Sequence, residues 1–321
     1  MPRSPFGYVL PLLLSLAVVA PLPFGSAAAA EKVAKAAKAP VKAPAKATVK
    51  KPVKAKPKVR KKAVAAAATA FRPVHASVLM DARTGRIIES DNADVATYPA
   101  SLTKMMTLLL TFEAVERGAL RLDQELPVSR HAANQKPSRL GVVPGGTIRV
   151  DDAVLALTVK SANDVAVVLA EALGGSEPAF AEQMTAKARA LGMTSTTFRN
   201  ASGLPHSEQR TTARDMAKLS RAVVGLPPSY YAMFGRTSFS WNGTSVSGHN
   251  RLLGKVDGYD GIKTGFVNAS GFNLAGSASR DGQRLIAVVL GGTTASIRDR
   301  EVADLLEKGF RATAKDTLAA R

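Results

Sequence analysis

The sequence predicts an α/β protein of the α+β type: an antiparallel sheet flanked by helices, with a helical subdomain. Three observations point there. Strand-like segments stand at both ends of the region that follows residue 70, helical segments fill the middle, and turn or cap residues separate them. HASVLMDARTGRIIESDN (75–92) reads as a strand, a turn at Arg83–Gly85 and a second strand. A helix follows over about 102–117, announced by Pro99. IRVDDAVLALTVKSANDVAVVLAEALGG (148–175) gives helical runs ending at Gly174–Gly175, with a break near 160–164. Ser176 caps the next helix and Gly192 stops it; another helix covers 213–224. TSFSWNG (237–243) and GFNLAGSASRDGQRLIAVVLGG (271–292), the latter with a turn at Asp281–Gly282, turn back to strand. A last helix spans about 298–310. The terminal strands should complete one sheet, and the middle should form the helical insertion.

Composition sets the organisation ahead of this domain. Residues 1–30 have a basic start at Arg3, an apolar stretch over 9–20 and small residues up to Ala30, the pattern of a secretory signal peptide. Prolines at 11, 21 and 23 and the short apolar core argue against a membrane-spanning helix. Residues 31–70 hold thirteen Lys and Arg against one Glu, so this tract carries +12 of the chain's +19. It has no aromatic residue and no periodic apolar face, and reads as a disordered Lys/Ala/Pro-rich linker. Such a tract binds polyanions by counterion release. In an exported protein nucleic acid is the wrong partner, leaving anionic lipid headgroups or anionic wall polymers; a solvated spacer fits the composition equally. Residues 71–321, with globular composition, are left as the folded domain. The chain has no cysteine, which excludes disulfides, thiolate metal sites and cysteine nucleophiles. Its four histidines, His75, His131, His206 and His249, show no ligand spacing, so neither metal nor cofactor is expected.

Chemistry concentrates in three short motifs. In PASLTKMMTLLL (99–110), Ser101 and Lys104 stand one helical turn apart, so the amine can reach the hydroxyl. A hydroxyl beside an amine, at a helix start where N–H groups are unpaired, is what an activated nucleophile with an oxyanion site needs. A serine in that position is also an ordinary cap. VKSANDVAVV holds Ser161 and Asn163, sixty residues on, and DGIKTGF holds Lys263, Thr264 and Gly265, a further hundred and two residues along, opening a strand. Each triplet alone is weak, since one could simply cap a helix and the other end a strand. Their order and spacing form the S-x-x-K, S-x-N, K-T-G set of serine β-lactamases and penicillin-binding proteins.

From about residue 74 to 311 the chain resembles the D-alanyl-D-alanine carboxypeptidases, low-molecular-mass penicillin-binding proteins of serine type. LMDARTGRIIESDNADVATYPASLTKMMT, VKSANDVAVVLAE, ALGMTSTTFRNASGLPH, TTARDMAKLSRA and DGIKTGFVNASGFNLAGSA all read like that family. The resemblance implies a β-lactamase/transpeptidase-like fold and removal of the terminal D-alanine from peptidoglycan stem peptides through an acyl-enzyme. It implies Ser101 as nucleophile and Lys104 as its proton acceptor. A neutral lysine is needed for that, and burial beside a second cation, Lys263, would supply it. It implies that Ser161 and Asn163 hold the substrate amide and relay protons. Lys263, Thr264 and Arg298 would face the substrate's carboxylate, Gly265 would let its backbone lie close, and the N–H groups of Ser101 and Phe266 would form the oxyanion hole. β-Lactams would be covalent inhibitors, and the protein would work in the periplasm or cell-wall space.

Phe266 departs from members with a polar residue after K-T-G, and the sequence shows neither the β-rich domain nor the amphipathic anchor of many relatives. That places the expectation nearer the short members, some of which cut cross-links as D,D-endopeptidases. A class A β-lactamase would need E-x-x-x-N after S-D-N; four residues beyond Glu171, Glu177, Glu182 and Glu208 stand Gly175, Ala181, Ala186 and Thr212. A Ser-His-Asp hydrolase would commonly show G-x-S-x-G, which is absent. A non-catalytic wall- or polyanion-binding protein is a third reading, opposed by the intact Ser101, Lys104, Ser161, Asn163 and Lys263.

Overall fold

The unbroken apolar run LIAVVL (285–290) gives a strand two buried faces, and the tertiary structure uses both. The computed structural model describes residues 73–319, so the expected leader and basic linker lie outside the described residues. In chain order the elements are β1 (Ala76–Asp81), β2 (Ile87–Asp91), α1 (Lys104–Glu116), β3 (Glu125–Pro127), α2 (Arg130–Ala133), β4 (Thr147–Arg149) and α3 (Val150–Leu155). They continue with α4 (Asn163–Gly174), α5 (Glu177–Ala190), α6 (Ala213–Val224), α7 (Pro228–Tyr231), β5 (Ser238–Trp241) and β6 (Thr244–Ser247). The chain then forms β7 (Tyr259–Val267), β8 (Gly271–Arg280), β9 (Gln283–Gly292) and α8 (Ala295–Ala319).

The main sheet has the order β2-β1-β9-β8-β7, and every pair in it is antiparallel. The N-terminal hairpin thus completes a sheet begun by the C-terminal strands. Leu285, Ala287 and Val289 pack with Val302 and Leu306 of α8 on one face. Ile286, Val288 and Leu290 face the other core, built with α1, α4 and α6. A strand covered on both faces needs this unbroken apolar run. In the helical part, α4 is buried along Asn163–Ala170, including the two polar residues at its start. Among the described residues no helix is long and apolar enough to cross a membrane.

Several boundaries differ from expectation for physical reasons. Ser101 does not open an α-helix: it lies in a 3-10 turn, Ala100–Thr103, and α1 begins at Lys104. Ala100 ahead of it has φ +49°, a left-handed conformation that a continuous helix start cannot absorb. Lys263–Gly265 does not open its strand but lies in the second half of β7. The segment at 237–243 forms no part of the main sheet; β5 pairs with β6 in a separate hairpin. Strands β3 and β4, three residues each, are too short for a periodic signal. The break expected near 160–164 is a π-turn over Ala156–Lys160 followed by Ser161 in the left-handed region. Helix α8 starts three residues early and runs on, because Arg298 belongs in its first turn.

Leu306 is fully buried where α8 meets the sheet. Leu306→Ala is expected to lower stability by about 2–5 kcal/mol, measured as a reduced urea midpoint with an unchanged slope.

Candidate active site

Ser101 sits where the 3-10 turn packs against β7, the edge strand of the sheet. Contact is close because Gly265 has no side chain: a Cβ there would stand 3.0 Å from the Ser101 nitrogen. The expectation that Gly265 leaves room for a substrate backbone is thus joined by a second reason internal to the fold. Gly203 meets the turn from the opposite side. Its φ is +87°, and any Cβ would overlap the Ala100 carbonyl oxygen. Two glycines therefore grip the nucleophile turn between the strand and the loop 200–204.

One turn on, Lys104 is fully buried. Its Nζ lies 3.2 Å from Ser101 Oγ, 2.7 Å from Asn163 Oδ1 and 2.5 Å from the Ser202 carbonyl oxygen. The Asn163 amide is oriented by its own Nδ2, which donates to the Pro137 carbonyl at 2.5 Å, so Oδ1 must face the lysine. An ammonium would spend its three N–H groups on these three oxygens. A neutral amine keeps two N–H groups, which the Asn163 and Ser202 acceptors take, and turns its lone pair to the Ser101 hydroxyl. Burial, and next the Lys263 charge, hold the Lys104 pKa well below its usual value, against the opposing pull of Asp164 and Glu177. The neutral form is the one that can accept the serine proton.

Across the site Ser161 has φ +60°, and its buried Oγ has no hydrogen-bond partner among the described residues. A buried orphan hydroxyl in a strained conformation points to a ligand or a moving proton. Lys263 is 2% exposed, and its Nζ donates to the Thr264 carbonyl at 3.1 Å. Burial, and next Arg298, lower its pKa to about 7. Arg298 is itself buried; its Nε donates to Asp299 Oδ1 at 2.8 Å and its Nη1 to the Asn273 carbonyl. A cleft of about 490 Å³ is lined by Ser101, Ser161, Thr264, Gly265, Phe266 and Arg298, together with His249 and Arg251. Lys104, Asn163 and Lys263 are buried residues outside that lining. All nine residues singled out from the sequence thus stand in or behind one cleft. Phe266 is 49% exposed, its ring 4.4 Å from that of Phe272, and gives the mouth an aromatic wall. A larger groove lined by Arg83, Lys218, Arg221 and Arg284 includes none of these residues.

A D-alanyl-D-alanine carboxypeptidase family model matches residues 62–294. The chain belongs to that family. It is 36% identical over 241 residues to the D-alanyl-D-alanine carboxypeptidase DacC of Escherichia coli strain K12, covering 73% of this chain and 60% of that protein. The chain therefore spans less than two thirds of that curated relative. Among solved structures, the D-alanyl-D-alanine carboxypeptidase DacD of Francisella tularensis superposes with a TM-score of 0.71 at 34% identity, over 74% of this chain and 69% of that one. Penicillin-binding protein D2 of Listeria monocytogenes, solved in its ampicillin-bound form, gives 0.64 at 33% identity, over 73% of this chain and 96% of that one. The fold is thus the β-lactamase/transpeptidase-like one of these relatives.

Sequence reasoning missed the supporting residues. Ser202 contributes only a carbonyl oxygen, which no side-chain pattern reveals. Asp164 is fully buried and accepts from the backbone N–H groups of Leu140 and Gly141 at 2.9 and 2.8 Å, tying the loop beside the cleft to the start of α4. Its place next to Asn163 was the available signal. His249 lines the cleft; burial, then Lys263 and Lys160, push its pKa down. Gly203→Ala should fold with reduced stability and lose at least about 2 kcal/mol of transition-state stabilisation, because the added methyl displaces the Ala100 carbonyl and with it Ser101. The check is the acylation rate of the folded variant with a fluorescent penicillin.

Proposed function

We propose that this protein is a serine-type D-Ala-D-Ala carboxypeptidase that trims the terminal D-alanine from peptidoglycan stem peptides. One observation carries the reading: a fully buried lysine with its Nζ 3.2 Å from Ser101 Oγ, beside a cleft that Thr264 and Arg298 line and buried Lys263 backs. Lys104 takes the proton as Ser101 Oγ attacks the penultimate D-Ala carbonyl carbon. The N–H groups of Ser101 and Phe266 receive the oxyanion. The C–N bond breaks and the proton passes through Ser161 to the departing D-alanine amine, leaving an ester on Ser101. Water, activated by the same lysine, hydrolyses that ester. Asn163 holds the Lys104 amine and the substrate amide. Lys263, Thr264 and Arg298 receive the terminal carboxylate through charge-assisted hydrogen bonds.

β-Lactams would acylate the same serine, and the missing E-x-x-x-N pattern supports a long-lived adduct. In this reading residues 1–30 are a cleaved leader, 31–70 a basic linker and 71–321 the catalytic domain, working in the periplasm or cell-wall space. The linker charge would hold the enzyme to anionic wall polymer or lipid headgroups.

A fluorescent penicillin is expected to label the wild type covalently, with Ser101→Ala abolishing the label. Lys104→Arg keeps the charge but cannot give it up, so it should fold and remain unlabelled. Digestion of purified muropeptides should convert pentapeptides to tetrapeptides with release of D-alanine. Cross-link cleavage without pentapeptide trimming would replace this reading with a D,D-endopeptidase.

Arg298→Ala is expected to cost about 2–3 kcal/mol, a thirty- to hundredfold loss in kcat/KM, on peptides ending in a free carboxylate. The same peptides amidated at that end should lose far less. Equal losses on the two would make Arg298 structural.

A further inference from the structure

The nucleophile turn has a holder outside the three motifs. Asn273 lies on β8, opposite Gly265 of β7, and is fully buried. It sits at a bulge, where the β8–β9 register shifts between Phe272 and Leu274. Bulges next to active sites re-aim side chains, and this one directs an amide past the bare Gly265 position. Asn273 Nδ2 lies 3.2 Å from the Tyr98 carbonyl oxygen and 3.4 Å from that of Pro99, the two residues that lead into Ala100 and Ser101. The same nitrogen is 3.0 Å from Ser270 Oγ. On the acceptor side, Asn273 Oδ1 receives the Gly291 N–H at 3.0 Å, where β9 takes φ +81°. The Asn273 main-chain carbonyl receives Arg298 Nη1.

We propose that Asn273 is a positioning residue for the acylation step, one that holds the Ser101 turn in register with Arg298. Ala100 occupies the left-handed region without being glycine, a conformation that persists only where its surroundings over-determine it. Gly203 and Gly265 supply close packing on its two flanks, but packing does not stop the entering chain from rotating. An amide N–H shared between two successive carbonyls does, the second N–H of the same nitrogen going to Ser270 Oγ. Since the backbone of that same residue anchors the guanidinium, the turn and the carboxylate-binding end share one rigid reference point. Acylation requires Ser101 Oγ to reach the carbonyl carbon while the carboxylate is held. Misplacement by a fraction of an ångström at either end costs rate rather than binding.

The inference rests on Ser101 being the nucleophile, and the experiment separates the two. Wild type, Asn273→Asp and Asn273→Ser are mixed with a fluorescent penicillin in stopped or quenched flow, and the labelled residue is identified by mass. Asp keeps the acceptor for Gly291 but loses the donors to Tyr98 and Pro99; Ser loses that reach altogether and stands in if the Asp variant does not fold. The acylation rate constant is expected to fall tenfold or more in the folded variants, with the dissociation constant of the preceding complex within threefold of wild type. A rate constant belongs to the folded molecules alone, so a purely structural role would lower the amplitude of labelling and leave the rate unchanged. That result, or a loss confined to the dissociation constant, overturns the proposal. Wild type that is not labelled at Ser101 overturns instead the reading on which it rests.

Discussion

A lysine side chain that is completely withdrawn from water governs this site. Burying an ammonium without a counter-charge is costly, and the ordinary response is to shed the proton. Around Lys104 Nζ the structure offers acceptors that suit the neutral amine, Asn163 Oδ1 and the Ser202 carbonyl, and a hydroxyl whose proton the amine can receive. Asp164 and Glu177 pull the other way, from behind, but burial and Lys263 outweigh them. A hydrated lysine stays protonated at neutral pH, so solvating Lys104 would remove its capacity to accept a proton from Ser101.

Keeping Lys104 dry demands the rest of the architecture. Helix α1 must run through the core against α4 and α6, so MMTLLL (105–110) carries no polar residue other than threonine on any side. Helix α4 must begin with polar groups that are buried, which it tolerates because Asp164 is saturated by the loop N–H groups and Asn163 by Pro137 and the lysine. The sheet must end at β7, since only an edge strand leaves its outer side open to a ligand. Edge strands ordinarily invite pairing with other chains. Here the cleft lies along that edge, while the 3-10 turn packs on the sheet face at Gly265 and Asn273.

The second cation pair has a different logic. Arg298 lies close enough to depress the Lys263 charge, and is itself held by Asp299 and by the Asn273 carbonyl. Burial first, and the Arg298 charge second, bring the Lys263 pKa down to about 7; an arginine does not answer by losing its own proton. A substrate carboxylate arriving between them would restore the lysine's charge.

How much of this is written in the sequence follows from the range of the interactions involved. The strands at both ends, the intervening helices and the cap at Ser176 were legible, because alternation, helical spacing and capping act over a few residues. The three motifs were legible because their chemistry needs specific side chains at fixed offsets. Strands of three residues, the separate β5–β6 hairpin and the 3-10 form of the nucleophile turn were not, since each depends on what packs against it. By itself the sequence determined that Ser101 and Lys104 share one turn and that no cysteine chemistry is available. Tertiary structure alone decided that the lysine is buried, that its acceptors include a backbone carbonyl from residue 202, and that Gly203, Gly265 and Asn273 close on the turn. Those contacts join segments far apart in the chain, and burial and proximity, unlike periodicity, exist only once the chain is folded.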